Sequence, residues 1–160
     1  MRANAYVVAE QPSAAPRDPG RPAQHGVFQD QEGRLDHFIK RDGVCFAGIH
    51  MLVDFFGASR LDDLDHMEQA LRGAVEAAGA TLLHIHLHHF TPNGGISGVA
   101  VLAESHISVH TWPECDYAAF DIFMCGDARP ELGAEVLRRA FQPTRQEILE
   151  QKRGVIDGTA

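Results

Sequence analysis

Four extended segments follow one another between residues 81 and 124, and the links that join them are short. Each segment is rich in β-branched or aromatic residues, or alternates apolar with polar side chains, as strands do. The segments span residues 81–90, 96–103, 107–112 and 117–124. Parallel neighbours would need crossover connections of a dozen or more residues. Links of this length therefore predict an antiparallel sheet.

Helical patterns flank these strands, and one further strand lies at each end. The first outer strand covers residues 49–56, and the last covers 144–150. The first helix follows a capping pattern, in which Ser59 caps and Asp62 reaches back, and Gly79 offers its C-cap. Its apolar residues at helical spacing are Leu61, Leu64, Met67, Leu71 and Val75. A second helix opens at Asp127 or a neighbour, with the apolar stripe Leu132, Val136, Leu137 and Ala140. The element order predicts an α+β fold with helices packed on one face of the sheet.

The first 35 residues differ in composition from the rest of the chain. Four of the eight prolines lie there, among alanine, glutamine, arginine and glycine: Pro12, Pro16, Pro19 and Pro22. Such a segment buries little apolar surface, so we expect a disordered arm over residues 1–35. A chain of 160 residues is too short for two comfortable domains, so residues 36–160 are predicted to form a single domain.

Charge and composition exclude several classes of protein. The formal net charge of −8 disfavours non-specific binding of nucleic acid, because phosphates would be repelled. Apolar runs are interrupted too often to cross a bilayer, and no signal peptide is evident. We therefore expect a cytoplasmic protein. Three cysteines without paired spacing, Cys45, Cys115 and Cys125, predict reduced thiols rather than a disulfide framework.

Strand 81–90 alternates strictly between apolar residues and histidines. Leu83, Ile85 and Leu87 are predicted on one face, while His84, His86 and His88 are predicted on the other. Neutral imidazoles can bind zinc, but alternate residues of one strand stand about 6.8 Å apart, and single-strand sites are uncommon. No carboxylate or thiol joins them at ligand spacing, so we predict a polar strand face and no metal.

The segment from Gly95 to Glu114 is dense in serine and histidine. It contains Glu104-Ser105-His106 followed by Ser-Val-His-Thr-Trp-Pro-Glu, and residues 117–126 then read Tyr-Ala-Ala-Phe-Asp-Ile-Phe-Met-Cys-Gly. This run resembles the processing region of the prokaryotic S-adenosylmethionine decarboxylase proenzymes. A looser similarity extends from Gly48 to about Gly154. A match of this length is far more specific than a short motif.

A decarboxylase of α-amino acids needs an electron sink that no ordinary side chain supplies. The resemblance implies that the Ser105 hydroxyl attacks the Glu104 carbonyl and that the chain cuts itself there. A β chain of residues 1–104 and an α chain of residues 105–160 result. The resemblance further implies that Ser105 becomes a pyruvoyl group that forms a Schiff base with the substrate. Neither a metal nor pyridoxal phosphate is expected as a cofactor.

The resemblance also assigns roles to individual residues by position. It implies that His110 is the base of self-cleavage and that Ser97 assists it. Cys125 would be the proton donor after decarboxylation, which suits a thiol with a pKa near 8.5. Glu114 would contact the ribose hydroxyls of a nucleoside substrate, and Phe90 would lie near its adenine.

Two departures from the family pattern leave the substrate open. Asp54 stands where the family carries a glutamate that contributes to substrate recognition, and the turn after Phe90 is one residue longer. S-adenosylmethionine is the first expectation, with its product destined for spermidine synthesis. A pyruvoyl-dependent decarboxylase of L-ornithine or L-arginine is the alternative within the same chemistry. A non-catalytic binding subunit is a third hypothesis, which predicts a chain that stays intact.

The family precedent also implies an assembly. It is a homodimer of processed (αβ) units, with active sites at or near the interface and the two sheets paired in an αββα arrangement. We therefore expect the partners of this chain to be a second copy and a small-molecule substrate.

Overall fold

The computed structural model describes residues 38–156. In this part of the chain the elements are β1 (Ile39–Arg41), β2 (Val44–Phe46), β3 (Gly48–Phe56), α1 (Leu64–Ala77), β4 (Leu82–His89), β5 (Ile96–Leu102), β6 (Ser105–Trp112), β7 (Tyr117–Met124), α2 (Pro130–Phe141) and β8 (Arg145–Arg153). A short 3₁₀ turn, Pro113–Cys115, joins β6 to β7. The arm predicted over residues 1–35 lies outside the described residues.

A six-stranded antiparallel sheet forms the body of the fold. Its strand order is β4-β5-β6-β7-β3-β8, and every neighbouring pair is antiparallel. The four consecutive strands β4 to β7 lie side by side, as their short links predict. Both helices pack against one face of the sheet. The predicted α+β fold is confirmed.

The core lies between that face and the two helices. Strand β7 alternates strictly between partly exposed and buried residues, and strand β3 buries its odd-numbered residues. Phe120 of β7 contacts both Phe55 of β3 and Phe141 of α2, with ring centroids 5.4 and 5.7 Å apart. Burying each such ring contributes about 2–3 kcal/mol. Within residues 38–156 no helix packs on the opposite face of the sheet, where polar and aromatic side chains are partly or fully exposed.

Helix α1 begins later than predicted. Its N-cap is Asp63, whose carboxylate accepts a hydrogen bond from the His66 backbone N–H at 2.9 Å. The Ser59 hydroxyl donates instead to the Phe141 carbonyl at 3.2 Å, so the predicted capping box is wrong. Arg60 has a φ of +58°, a left-handed conformation that interrupts a helix at this point. Gly79, at φ +72°, follows the last turn as predicted.

The alternation of faces predicted for β4 fails at the start of the strand. The pairing of β4 with β5 shifts register between Leu82 and His84. An extra residue at such a bulge reverses the facing of the residues before it. Leu83 is therefore 63% exposed, contrary to the prediction, and Leu82 packs against the core in its place. Ile85 and Leu87 face the core as predicted.

The sequence indicated that regular structure begins near Gly48. In the structure it begins earlier, with β1 at Ile39. Strands β1 and β2 form a hairpin whose turn residues, Asp42 and Gly43, have φ values of +53° and +75°. An Asp-Gly pair is a strong hairpin signal because both residues tolerate positive φ. Phe46 of this hairpin is fully buried in the core. Strand β8 also continues past the predicted end at residue 150, because it pairs with β3 along its whole length.

No helix of the described chain is long and apolar enough to cross a membrane.

The bulge in β4 predicts different costs for two neighbouring leucines. Leu82→Ala should lower the free energy of unfolding by about 1–2 kcal/mol, because it removes side-chain packing against the core. Leu83→Ala should change it by less than about 0.5 kcal/mol. Urea unfolding at one fixed protein concentration measures both. Equal losses would contradict the described register and restore the strict alternation.

Candidate active site

The predicted scissile bond lies at the tip of a tight hairpin. Two residues, Ala103 and Glu104, join β5 to β6, and Leu102 pairs directly with Ser105 across the turn. Glu104 has a φ of +63°, a left-handed conformation that glycine adopts more readily than other residues. Holding a residue with a side chain there costs on the order of 1 kcal/mol. The backbone before Ser105 is therefore strained.

Cys125 contacts both partners of the proposed acyl shift. It follows the last residue of β7, the strand that pairs with β6. The Cys125 backbone N–H donates to the Ser105 Oγ at 3.2 Å, and its Sγ lies 3.3 Å from the Glu104 carbonyl oxygen, to which the thiol can donate. One residue thus holds the hydroxyl that would attack and the carbonyl that would be attacked. We call Glu104, Ser105 and Cys125 the tip cluster.

The pKa of the Cys125 thiol is raised above its ordinary value. Partial burial is the largest cause, because it penalises the thiolate, and the negative charge of Glu104 adds to it. The hydrogen bond with Ser105 acts in the opposite direction but is smaller. At neutral pH the thiol therefore stays protonated, as a proton donor must be.

A second group of predicted residues lies further along β5 and β6. Ser97 and His110 are directly opposite each other, and the Ser97 Oγ is hydrogen-bonded to the His110 Nδ1 at 2.9 Å. Both line a cavity of about 220 Å³. Its complete lining is Phe90, Asn93, Gly95, Ser97, His110, Thr111, Trp112 and Glu114. This cavity, called the Ser97–His110 pocket below, gathers four of the predicted site residues.

The tip cluster and the Ser97–His110 pocket are far apart in one chain. Ser105 and His110 are separated by five residues of the extended strand β6, which corresponds to roughly 17 Å. A side-chain rotation cannot close that distance. The described chain therefore brings Ser105 to Cys125, and Ser97 to His110, but does not bring the two pairs together.

Asp54 belongs to neither group. Its carboxylate accepts a hydrogen bond from the Tyr117 hydroxyl at 2.5 Å. Burial and this hydrogen bond raise the pKa of Tyr117 to about 12. Tyr117 in turn stacks on Trp112, with ring centroids 5.2 Å apart. Asp54 is therefore connected to the pocket through Tyr117 and Trp112 and is not part of its lining. The substrate contact expected of Asp54 stays a prediction.

The sequence analysis missed four residues of the pocket lining: Asn93, Gly95, Thr111 and Trp112. The alternation of β6 could have indicated Trp112, which shares a face with His110 and is 41% exposed. Thr111 points to the opposite, buried face, and only its contacts identify it. Nothing in the local sequence marks Asn93 beyond its place in the turn after Phe90.

The histidine row of β4 lies on the exposed side of that edge strand. The rings of His84 and His86 stack with centroids 6.5 Å apart, and His88 contacts Phe90. Within residues 38–156, no group of three or more histidine, cysteine or acidic side chains is arranged to hold a metal ion. The three cysteines are all free thiols.

Comparisons with known proteins agree with this arrangement. A family model described as S-adenosylmethionine decarboxylase matches residues 49–154. An S-adenosylmethionine decarboxylase proenzyme of Thermomicrobium roseum is 44% identical over 110 residues, which are 68% of this chain and 95% of that protein. A proenzyme of the same name from Methanococcus vannielii is 45% identical over 113 residues, covering 69% of this chain and 92% of its own.

A solved structure is similar as well. The crystal structure of the adenosylmethionine decarboxylase from Aquifex aeolicus matches with a TM-score of 0.66 and 31% sequence identity. The match covers 72% of this chain and 97% of that one.

The environment of Cys125 predicts how its reactivity changes with pH. The test uses a Ser105→Ala chain that also lacks Cys45 and Cys115. The rate at which iodoacetamide alkylates Cys125 should rise with pH, and the midpoint of that rise should lie above the ordinary thiol pKa. Adding Glu104→Gln should lower that midpoint, because the negative charge that disfavours the thiolate is removed. The rate of alkylation against pH measures both. A midpoint that Glu104→Gln leaves unchanged would show that Glu104 does not influence the thiol.

Proposed function

The chain belongs to the S-adenosylmethionine decarboxylase family, and from that premise we propose that it converts Ser105 into a pyruvoyl group and decarboxylates S-adenosylmethionine. The decarboxylated product serves spermidine synthesis as an aminopropyl donor. The observation that best supports self-processing is the double contact of Cys125, with the Ser105 hydroxyl and with the Glu104 carbonyl oxygen.

Self-cleavage begins at the tip cluster. The Ser105 Oγ adds to the Glu104 carbonyl carbon, the peptide C–N bond breaks, and an ester replaces the amide. The Cys125 thiol donates to the oxygen on which negative charge develops, which stabilises the transition state. The left-handed backbone of Glu104 is freed when the chain is cut, so strain favours the forward reaction. Elimination then releases the Glu104 carboxylate and needs a base for the α-hydrogen of residue 105.

The residues of the tip cluster fit a pyruvoyl group at position 105. When formed, that group supplies the electron sink for the electron pair left by departing carbon dioxide. Cys125 is held beside residue 105, and its raised pKa keeps the thiol protonated at neutral pH. It is therefore the residue that returns a proton to the substrate carbon.

The base for the elimination comes from a second copy of the chain. His110 lies roughly 17 Å from Ser105 along its own strand, too far to act there. We propose a homodimer in which the partner subunit's His110, with its serine at position 97, completes the tip cluster of this chain. The helix-free face of the sheet is suited to such pairing, since it exposes the apolar side chains of Leu52, Val101, Trp112 and Leu149. Two sheets meeting there give an αββα assembly.

The Ser97–His110 pocket accounts for recognition of a nucleoside. Phe90 and Trp112 place two exposed aromatic side chains on its walls, and these can stack against a planar base. Glu114 provides a carboxylate that can accept hydrogen bonds from ribose hydroxyls. Neither feature is needed for ornithine or arginine, and no observation on the pocket favours those substrates. Free thiols fit a cytoplasmic location.

Substrate and chemistry are tested together by release of labelled carbon dioxide. Purified protein is incubated separately with carboxyl-labelled S-adenosylmethionine, L-ornithine and L-arginine. We expect release from S-adenosylmethionine, and none from a Ser105→Ala variant, whose intact mass should remain that of one chain. Release from ornithine or arginine alone would overturn the proposed substrate. A wild-type chain that stays uncut would favour a binding subunit.

The shared site predicts complementation between two inactive variants. Ser105→Ala and His110→Ala chains, each expressed alone, should not be cleaved at residue 104. Mixed dimers should cleave the His110→Ala chain, because the Ser105→Ala partner supplies an intact His110. Differently tagged chains co-expressed and analysed by denaturing gel give the measurement. If the His110→Ala chain is never cut in the mixture, the base acts within its own chain.

A further inference from the structure

Thr111 carries a buried hydroxyl that is hydrogen-bonded to the backbone of two residues, Ile96 and Leu61. Among residues 38–156 it is the one polar or charged side chain in the buried class, at 6% exposure. Its Oγ1 accepts from the Ile96 backbone N–H at 2.7 Å and donates to the Leu61 carbonyl at 2.8 Å. Both hydrogen bonds are themselves buried, and each satisfies a backbone polar group.

These two bonds join three segments at one point. Ile96 begins β5, Thr111 lies near the end of β6, and Leu61 precedes α1. Ser97 and His110 form the last pair of the ladder between β5 and β6. The next position along would be the pair of Ile96 with Thr111, and there the threonine hydroxyl, rather than a strand carbonyl, accepts the amide hydrogen. The side chain of Thr111 thus closes the ladder one residue beyond the Ser97–His110 hydrogen bond.

The same hydroxyl also anchors the turn of the pocket. Leu61 is followed by Asp62, whose Cβ would lie 3.2 Å from a Cβ added at Gly94. Gly94 belongs to the turn between Phe90 and β5 that carries Asn93, another residue of the pocket lining. The Thr111–Leu61 bond therefore holds the segment on which this turn rests.

We propose that Thr111 is a positioning residue, which holds Ser97 and His110 at hydrogen-bond distance and fixes the turn beside the substrate pocket. The proposal rests on the functions proposed above for Ser97 and His110. Thr111 does not itself meet the reacting atoms, because its hydroxyl is on the buried face and fully engaged. Its effect is on geometry, and a displacement of about 1 Å in a catalytic group can cost on the order of 100-fold in rate.

Three variants separate positioning from stability. Thr111→Val keeps the shape but removes the hydroxyl, whereas Thr111→Ser keeps the hydroxyl. Ser59→Ala is the matched control, since the Ser59 hydroxyl anchors the same segment to the Phe141 carbonyl without adjoining the Ser97–His110 pair. All three, and His110→Ala, are compared with the wild type for the half-life of self-cleavage, the KM and kcat of the processed enzyme, and urea unfolding.

We expect Thr111→Val to slow self-cleavage at least 10-fold and to raise the KM of the processed enzyme. Thr111→Ser should stay within about 2-fold of the wild type. Ser59→Ala should lose stability but process at the normal rate. If Thr111→Val does not fold, Thr111→Ala is used in its place, and it should also process slowly, because it too leaves β5 and β6 without the bridge.

The result that would overturn the proposal is a Thr111→Val or Thr111→Ala variant, either of which lacks the hydroxyl, that folds and processes at the rate of Ser59→Ala. Thr111 would then act on stability alone. A different result, normal self-cleavage of His110→Ala, would overturn the proposed function of His110 rather than that of Thr111. The two failures are therefore distinguishable in one experiment.

Discussion

The hydrogen-bonded ladder between β5 and β6 determines where Ser97, Ser105 and His110 lie. Its register pairs Leu102 with Ser105 at one end and Ser97 with His110 at the other. A strand is close to its full extension, so the groups at its ends cannot approach each other by local rearrangement. The roles proposed for Ser105 and His110 therefore require that the two residues come from different chains. The proposed homodimer rests on the geometry of this one hairpin.

Most of the fold could be predicted from periodicity and link length, because both act locally. The four consecutive strands and the antiparallel sheet needed only alternation and short connections. The start of α1 could not be predicted, since Ser59 and Asp63 are both good N-caps. The contact of Ser59 with Phe141, 82 residues away, decides between them. The exposure of Leu83 depends likewise on a bulge that exists only when β4 pairs with β5.

For the candidate site, the sequence predicted the family and the chemical groups but not the contacts between them. The run from Glu104 to Gly126 identified the family correctly, and the resemblance assigned the pyruvoyl group to Ser105 and the proton donor to Cys125. Their contact depends on the register in which β6 pairs with β7, which periodicity and link length do not specify. The separation of Ser105 from His110 was implicit in their spacing on one strand, five residues apart. Thr111 was not predictable, because a buried threonine looks like any other residue of a strand interior until its two backbone partners are known.

A crystal structure of the Ser105→Ala precursor tests whether two chains share the active site, because it preserves the uncut hairpin in its assembled state. We expect residue 105 to lie roughly 17 Å from His110 of its own chain. We also expect the partner subunit's His110 and the chain's own Cys125 to lie within a few ångströms of residue 105. A structure in which His110 of the same chain reaches residue 105, or in which no second copy approaches it, would contradict a shared site.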